Sequence, residues 1–359
     1  MKLKDVCIKG TSNIRQKDVN DSGRYPVYGA AGPVGFMNSF QYDEPYVGVV
    51  KDGAGIGRAT YLPSNSSIIG TMQALIPKKN VLPKYLYYAV SSMHLEKYYS
   101  GATIPHIYFK NYKHERFVLV SKKEQEQIIW RFSLLEKMIS NKQQQLLKLD
   151  ELIKARFVEM FGDPVINSKN LELSTLANLG MLGRGRSKHR PRNDPKLLGG
   201  KYPLIQTGEV SQSGLYIRNF SNTYSELGLK QSKLWPKDTL CITIAANIAS
   251  TSILTFNACF PDSVVGFISN EDKVKPVFLH YWFSFFQNII ESQATQVAQK
   301  NINLKVLSNL SVIHPPISLQ NEFADFVRQV DKSKFENIVY LNKTLSNKIL
   351  SQIGDVIRD

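Results

Sequence analysis

From Met1 to about Val120 the apolar residues fall in short runs separated by turn formers, and Tyr46 to Val50, Arg58 to Leu62 and Ser67 to Ile76 are expected to be strands. Asp52-Gly53-Ala54-Gly55-Ile56-Gly57 lies between two of them as a tight turn, because glycine accepts a positive φ without steric penalty. Behind Pro83 the spacing of Leu86, Val90, Met93 and Tyr98 predicts a helix over Tyr85 to Tyr99. From Lys123 the texture changes to a run of about 38 residues without Pro or Gly. In it Ile128, Phe132, Leu135, Ile139, Leu146, Leu149, Ile153 and Met160 alternate by three and four, interrupted by Lys142 and Arg156. That is the seam of a coiled coil, and Gly162-Asp163-Pro164 stops it. A second, less regular stretch from about Ser318 to Ile353 carries Phe323, Phe326, Val330, Ile338, Leu341, Leu345, Ile349 and Ile353.

The pattern is written twice. Gly23-Arg24-Tyr25-Pro26 returns as Gly200-Lys201-Tyr202-Pro203, and later landmarks recur roughly 190 to 195 residues apart in unchanged order. Ile68-Ile69-Gly70 is matched by Val264-Val265-Gly266, and the Pro83 to Tyr88 stretch by Pro276 to Tyr281. The long helices open at Gln125-Glu126-Gln127-Ile128 and Gln320-Asn321-Glu322-Phe323 and end at Gly162-Asp163 and Gly354-Asp355. The expected fold is therefore α+β: strand-rich units at 1–122 and 164–317, each followed by a long helix, at 123–163 and 318–359. Either helix alone leaves its stripe exposed. Packing one against the other, antiparallel by the pseudo-twofold relation of the repeats, covers both; folding each back on its own unit is the alternative. A helix of about 36 residues rises roughly 54 Å, about 16 base pairs of B-form duplex, so such a pair works as a ruler.

Charge narrows the partner. The 359 residues carry a formal +15 with a pI near 9.5, which on a folded chain with 43% hydrophobic residues points to nucleic acid or an anionic membrane surface. No apolar run approaches a membrane span and the start has no apolar signal core, so a reducing cytoplasm is the expected compartment. Cys7, Cys241 and Cys259 are far apart and form no CxxC pair, which argues against a disulfide framework or a zinc site.

Three stretches imitate catalytic motifs. Gly53 to Gly57 is spaced GxGxG and precedes a strand, unlike a dinucleotide loop. Pro261-Asp262 with Glu271-Asp272-Lys273 formally fits the PD-(D/E)xK set of Mg²⁺ nucleases, and an autonomous nuclease using Asp262, Glu271 and Lys273 is the enzymatic alternative. The first copy has Ser66-Ser67 and Pro77-Lys78-Lys79 there, without a carboxylate. His314-Pro315-Pro316-Ile317 lacks the amide or carboxylate and the aromatic ring of the amino-methyltransferase motif. With no Walker loop and no HExxH, the chain is expected to catalyse nothing by itself and to have no bound cofactor of its own. The remaining alternative is a coiled-coil scaffold with incidental charge.

Binding chemistry is better represented. Arg184, Arg186, Lys188, Arg190 and Arg192 alternate around His189 in a segment punctuated by Gly and Pro, and guanidinium forks match phosphate oxygens and the guanine edge. In the first copy Lys51, Arg58 and Lys110 flank turns at strand ends, where side chains reach a groove. Gln73, His106 and Tyr108 are candidates for base edges, although an interior polar role is at least as plain a reading of each.

Together these residues carry a family resemblance over essentially the whole chain. Gly53 to Leu62, Ile69-Gly70-Thr71-Met72-Gln73 and Gly101-Ala102-Thr103-Ile104-Pro105-His106-Ile107 resemble a target-recognition domain of a type I restriction-modification specificity subunit. Gln125-Glu126-Gln127, Lys148-Leu149-Asp150 and Phe157 to Pro164 are similar to that family's spacer. The resemblance implies that each domain reads half of a bipartite double-stranded DNA target through the major groove, with the gap set by the helices. It also implies two methyltransferase subunits using S-adenosylmethionine and two ATP- and Mg²⁺-dependent translocase-nuclease subunits as partners. The second copy has Ala245 to Ser250 at the Gly-rich turn and Gln299-Lys300-Asn301 at Pro105-His106-Ile107, so the half-sites are expected to differ.

Overall fold

A computed structural model describes residues 1–101, 105–245, 247–285 and 302–344. The chain divides into two compact units, Met1–Gln144 with the chain from Asn337 onward, and Gln145–Glu336.

In the first unit, β1 (Cys7–Gly10), β4 (Tyr46–Val50), β5 (Ala59–Leu62) and β7 (Met72–Pro77) form an antiparallel sheet in the order β1-β7-β4-β5. A smaller sheet joins β2 (Tyr25–Gly29) to β3 (Gly32–Met37) and, in parallel, to β6 (Ser67–Ile68). All five residues of β4 are buried, as a central strand covered on both faces requires. The apolar run from Ser67 to Ile76 is thus two strands rather than one. Gly70 breaks it, its N–H bonded to the Ile14 carbonyl, and the Thr71 carbonyl turns away to accept from Lys51 and Asp52. The Gly-rich turn forms as expected, with Gly53, Gly55 and Gly57 at φ of +86°, +84° and +82°.

In the second unit the strands are β8 (Leu173–Thr175), β9 (Gly180–Arg184), β10 (Leu198–Leu204), β11 (Tyr216–Ile217), β12 (Asn222–Tyr224), β13 (Leu234–Trp235), β14 (Leu240–Thr243), β15 (Thr251–Leu254), β16 (Ala258–Cys259), β17 (Val264–Ser269) and β18 (Ser311–Ile313). The order β9-β17-β14-β15 repeats β1-β7-β4-β5, with β11 added in parallel at the edge. Gly10 faces Ala74 in one sheet and Gly183 faces Gly266 in the other. Val50 opposite Met72 matches Thr243 opposite Val264, so Val264-Val265-Gly266 corresponds to Met72-Gln73-Ala74 and not to Ile68-Ile69-Gly70. The sequence match is four residues out; side chains alternate with a period of two, so an even slip leaves an apolar pattern unchanged.

Both sheets seat one large aromatic ring in a notch of small residues. A Cβ on Gly183 or Gly266 would stand 2.7 Å from the Trp235 ring, and a Cβ on Gly10 would stand 2.7 Å from the Tyr42 hydroxyl. A helix follows each sheet, α1 (Pro83–Ser91) in the first unit and α3 (residues 276–285) in the second. The first is shorter than the expected Tyr85 to Tyr99. Ser91 and Ser92 turn their hydroxyls back onto the Tyr87 and Ala89 carbonyls, and His94 adopts φ +52°, which ends the helix before the 3₁₀ turn Leu95–Tyr98.

Two long helices complete the framework, α2 (Lys122–Phe161) and α4 (Ile317–Thr344). Ser121 and Glu124 form a capping box at the start of α2, and Gly162 at φ +75° closes its end. In each repeat a fully buried glutamine ties the first turn of the long helix to the preceding unit. Gln125 accepts from the Leu82 N–H at 2.8 Å and donates to the carbonyls of Asn80 and Val120, both at 2.9 Å. Gln320 makes the same three bonds, to the Lys275 N–H at 2.9 Å and to the carbonyls of Lys273 and Pro315 at 3.0 and 2.9 Å.

Within the second unit the two helices run antiparallel, Arg156 bonding Glu322 at 2.8 Å and Asp150 pairing with Lys334. Phe157 and Phe161 pack there against Phe278 and Phe323 with ring centroids 5.0 to 5.5 Å apart. In the first unit Lys142 donates to Asn337 at 2.9 Å. The two interruptions of the apolar stripe, Lys142 and Arg156, are therefore positions where the helices bond through polar groups. Ile128, Phe132, Leu135, Ile139, Leu146, Leu149 and Ile153 occupy the less exposed face of α2, as do Phe323 and Val330 on α4. Ile338 is a correction, being 43% exposed. At 3.6 residues per turn the buried stripe continues through Val327 and Val330 to Lys334 and Asn337, one residue away. The side chains of Leu341 and Leu345, with Ile349 and Ile353, lie outside the described residues. Among the described residues no helix is long and apolar enough to cross a membrane.

Candidate nucleic-acid interface

The end of each sheet where β1 and β9 hand on the chain concentrates basic side chains. In the first unit a cleft of about 330 Å³ is lined by Lys9, Lys51, Gln73, Tyr108 and Lys110, with Thr11, Ser12 and Asn13 along one wall. The Lys51 ammonium lies 3.0 Å from Asp52, whose other carboxylate oxygen is 2.7 Å from His106 Nδ1. The His106 ring lies 6.3 Å from that of Tyr108 at an interplanar angle of 25°, and the Lys110 ammonium sits 5.5 Å from the centre of the Tyr108 ring. Tyr108 is half exposed, leaving a flat aromatic surface between cations. Pairing of the Gly53 N–H with the Pro105 carbonyl and of the Ile107 N–H with the Lys51 carbonyl holds the two loops together.

Two of the sequence candidates are placed differently. Gln73 is 3% exposed and donates its amide N–H groups to the carbonyls of Gly10 and Ala74, so it ties β7 to the last residue of β1. Arg58 lies outside the cleft lining and donates to the Ala30 carbonyl. Ala102, Thr103 and Ile104 of the first-copy motif, and Gln299-Lys300-Asn301 of the second, lie outside the described residues. Lys9 and the Thr11-Ser12-Asn13 wall escaped the sequence reading. The wall becomes visible once Gly10 is equated with Gly183, because Thr11 and Asn13 then coincide with Arg184 and Arg186, whereas Lys9 coincides with Leu182 and is brought to the cleft by the fold.

In the second unit Arg184, Arg186, Lys188, Arg190 and Arg192 are all exposed. The Arg186 N–H bonds the Phe260 carbonyl at 3.1 Å, anchoring the loop to the turn before β17. His189 Nε2 lies 3.1 Å from Asp194, and the Lys196 N–H first, then His189, holds the Asp194 carboxyl below its usual range. Beside Arg192 opens a cleft of about 300 Å³ bounded by Ser187, Asn193, Gln206, Asn222 and Tyr224. Of the nuclease-like set, the Asp262 carboxylate is engaged by Arg190 and Arg192, and Lys273 donates to the Asn178 carbonyl at 3.1 Å. Among the described residues no group of three or more His, Cys, Asp or Glu is placed to hold a metal ion.

The model of the type I restriction-modification DNA specificity domain matches this chain twice, over residues 1–151 and 168–349. The chain belongs to that family. As a type I specificity subunit its task is recognition of DNA sequence, and its two matched segments coincide with the two sheet repeats. A putative type I restriction enzyme specificity subunit of Methanocaldococcus jannaschii is 23% identical over 300 residues, 77% of this chain and 69% of that one. Among solved structures, the type I S subunit from M. genitalium aligns with a TM-score of 0.61 at 15% identity, over 98% of this chain and 95% of that one. A chain from work on complex assembly and conformational transition of the type I R-M system aligns at 0.58 and 14% identity, over 98% and 96%. These likenesses establish the fold of the specificity subunit for this chain.

Proposed function

We propose that each unit of this subunit reads one half of a bipartite duplex target, with α2 and α4 setting the gap between the halves. The observation that carries this reading is the concentration of basic side chains at the same end of the same sheet in both units, since two such surfaces suit one long polyanion. Lys9, Lys51 and Lys110 supply phosphate contacts in the first unit, and Arg184, Arg186, Lys188, Arg190 and Arg192 in the second. Tyr108, His106 and the polar walls of the two clefts supply base-edge selectivity. Arg184 and Arg186 stand where the first unit has Thr11 and Asn13, so the half-sites differ.

The subunit itself is non-catalytic in this reading. It recruits two methyltransferase subunits, which bring S-adenosylmethionine, and two translocase-nuclease subunits, which bring ATP and Mg²⁺, in the cytoplasm where the DNA lies. Mapping methylated adenines in the host genome tests the whole proposal: one bipartite motif should vanish when this chain is deleted. In vitro, Lys51→Gln with Lys110→Gln should reduce the slope of log affinity against log salt by about 1.8, two phosphate contacts at roughly 0.9 each. Loss of no motif on deletion, or an unaltered slope, overturns the assignment.

A further inference from the structure

We propose that Asp262 is a specificity-determining residue of the second unit, withholding Arg190 and Arg192 from indiscriminate phosphates. The inference rests on the DNA-recognition reading above. Asp262 sits in the turn between β16 and β17, where Val264 N–H bonds the Pro261 carbonyl at 3.0 Å. That turn is fastened to the start of the arginine loop: Gly185 N–H bonds the Val264 carbonyl at 2.8 Å, and Arg186 N–H bonds that of Phe260. The two chains lie so close that a Cβ on Gly185 would be 2.2 Å from the Pro261 carbonyl oxygen. The carboxylate is thus carried on a rigid support.

From there it faces three arginines. Its carbonyl accepts from Arg184 Nε, one carboxylate oxygen accepts from Arg192, and the other is 3.5 Å from Arg190. The side chains of Arg190 and Arg192 are 55% and 46% exposed, so both guanidiniums are open to solvent; Arg190 Nη1 also donates to the Ser187 and His189 carbonyls, and the Asp262 carboxylate is the acidic partner of both arginines. Register places Gly70 at the corresponding point of the first unit, so this carboxylate belongs to the second unit alone. Arginines that accept any phosphate raise affinity for all DNA equally, and a target must outcompete a great excess of such sites. A carboxylate already in contact competes with every phosphate. It yields only where the DNA adds base contacts that an arbitrary sequence does not.

The test uses the full chain and a random-sequence 30-base-pair duplex. Asp262→Asn, which keeps the shape and removes the charge, should tighten binding about three- to tenfold near 0.1 M salt and steepen the salt slope by about 0.9 for each arginine released. Adding Arg190→Gln and Arg192→Gln to D262N should cancel the gain, and Asp262→Glu should restore wild-type behaviour. Independently of DNA, D262N should speed tryptic cleavage after Arg192, because the arginine loop loses its tether. Equal affinity and slope in wild type and D262N overturn the proposal, as does a gain that survives loss of both arginines. Absence of duplex affinity in both proteins at low salt instead removes the DNA-recognition reading, and this inference with it.

Discussion

Gln125→Leu isolates the joint between the first unit and its helix. The wild-type side chain is fully buried and makes three hydrogen bonds of 2.8 to 2.9 Å, so leucine of similar volume removes all three without opening a large cavity. Each neutral bond contributes about 1 kcal/mol net, and the Leu82 N–H and two carbonyls are left without their partner in a dry site. Partial relaxation and the transfer gain of leucine offset some of this, giving an expected loss of about 2 to 4 kcal/mol. Hydrogen exchange read by mass spectrometry over residues 80–90 follows it locally. Because 1.4 kcal/mol is tenfold, the Leu82 amide should exchange roughly thirty- to several-hundredfold faster. The Lys275 amide, held by Gln320 in the equivalent joint, serves as the internal reference and should exchange as in wild type. Unchanged exchange at Leu82 would refute the idea that this amide network anchors the helix.

The aromatic notch predicts that Gly266→Ala, driving a methyl to 2.7 Å from the Trp235 ring, costs about 1 to 3 kcal/mol and alters the near-ultraviolet dichroism of tryptophan; an unaltered spectrum and midpoint would contradict the packing. Desolvation pulls His280 down to about 4, opposed by its contact with Thr251 at 3.0 Å, so the neutral ring is the form that folds. The unfolded chain takes up the proton near pH 6.5 and the folded one only near 4, so stability is full above 6.5 and falls as pH drops through that window. Allowing for the ring's partial exposure the loss is roughly 2 kcal/mol, and urea titrations at pH 7.5 and 4.5 should show it in wild type but not in His280→Gln. On α4, Val327→Ser should destabilise by about 2 to 4 kcal/mol while Ile338→Ser changes stability by less than about 0.5, since Val327 is buried and Ile338 exposed; the reverse order in thermal melts would restore the register expected from the sequence.

The duplication, the α+β class, the Gly-rich turn and the extent of the first long helix were determined by the sequence itself, because each rests on local chemistry. A capping box, a glycine at positive φ and an apolar stripe of fixed period act over a few residues, and their repetition in order shows that one fold was used twice. The family resemblance rests on the same local motifs. What tertiary structure alone decided is register and partnership. An apolar strand tolerates an even slip, so only the ladders could equate Gly10 with Gly183 and bring Thr11 and Asn13 into the site. A helix with two apolar stripes one residue apart keeps whichever its neighbour covers, and Lys142 opposite Asn337 fixes that choice on α4. Gln73 and Asp262 carry no local sign of their roles; pinning a strand and holding a pair of arginines are properties of chains brought together from distant parts of the sequence, through contacts that no window of neighbouring residues contains.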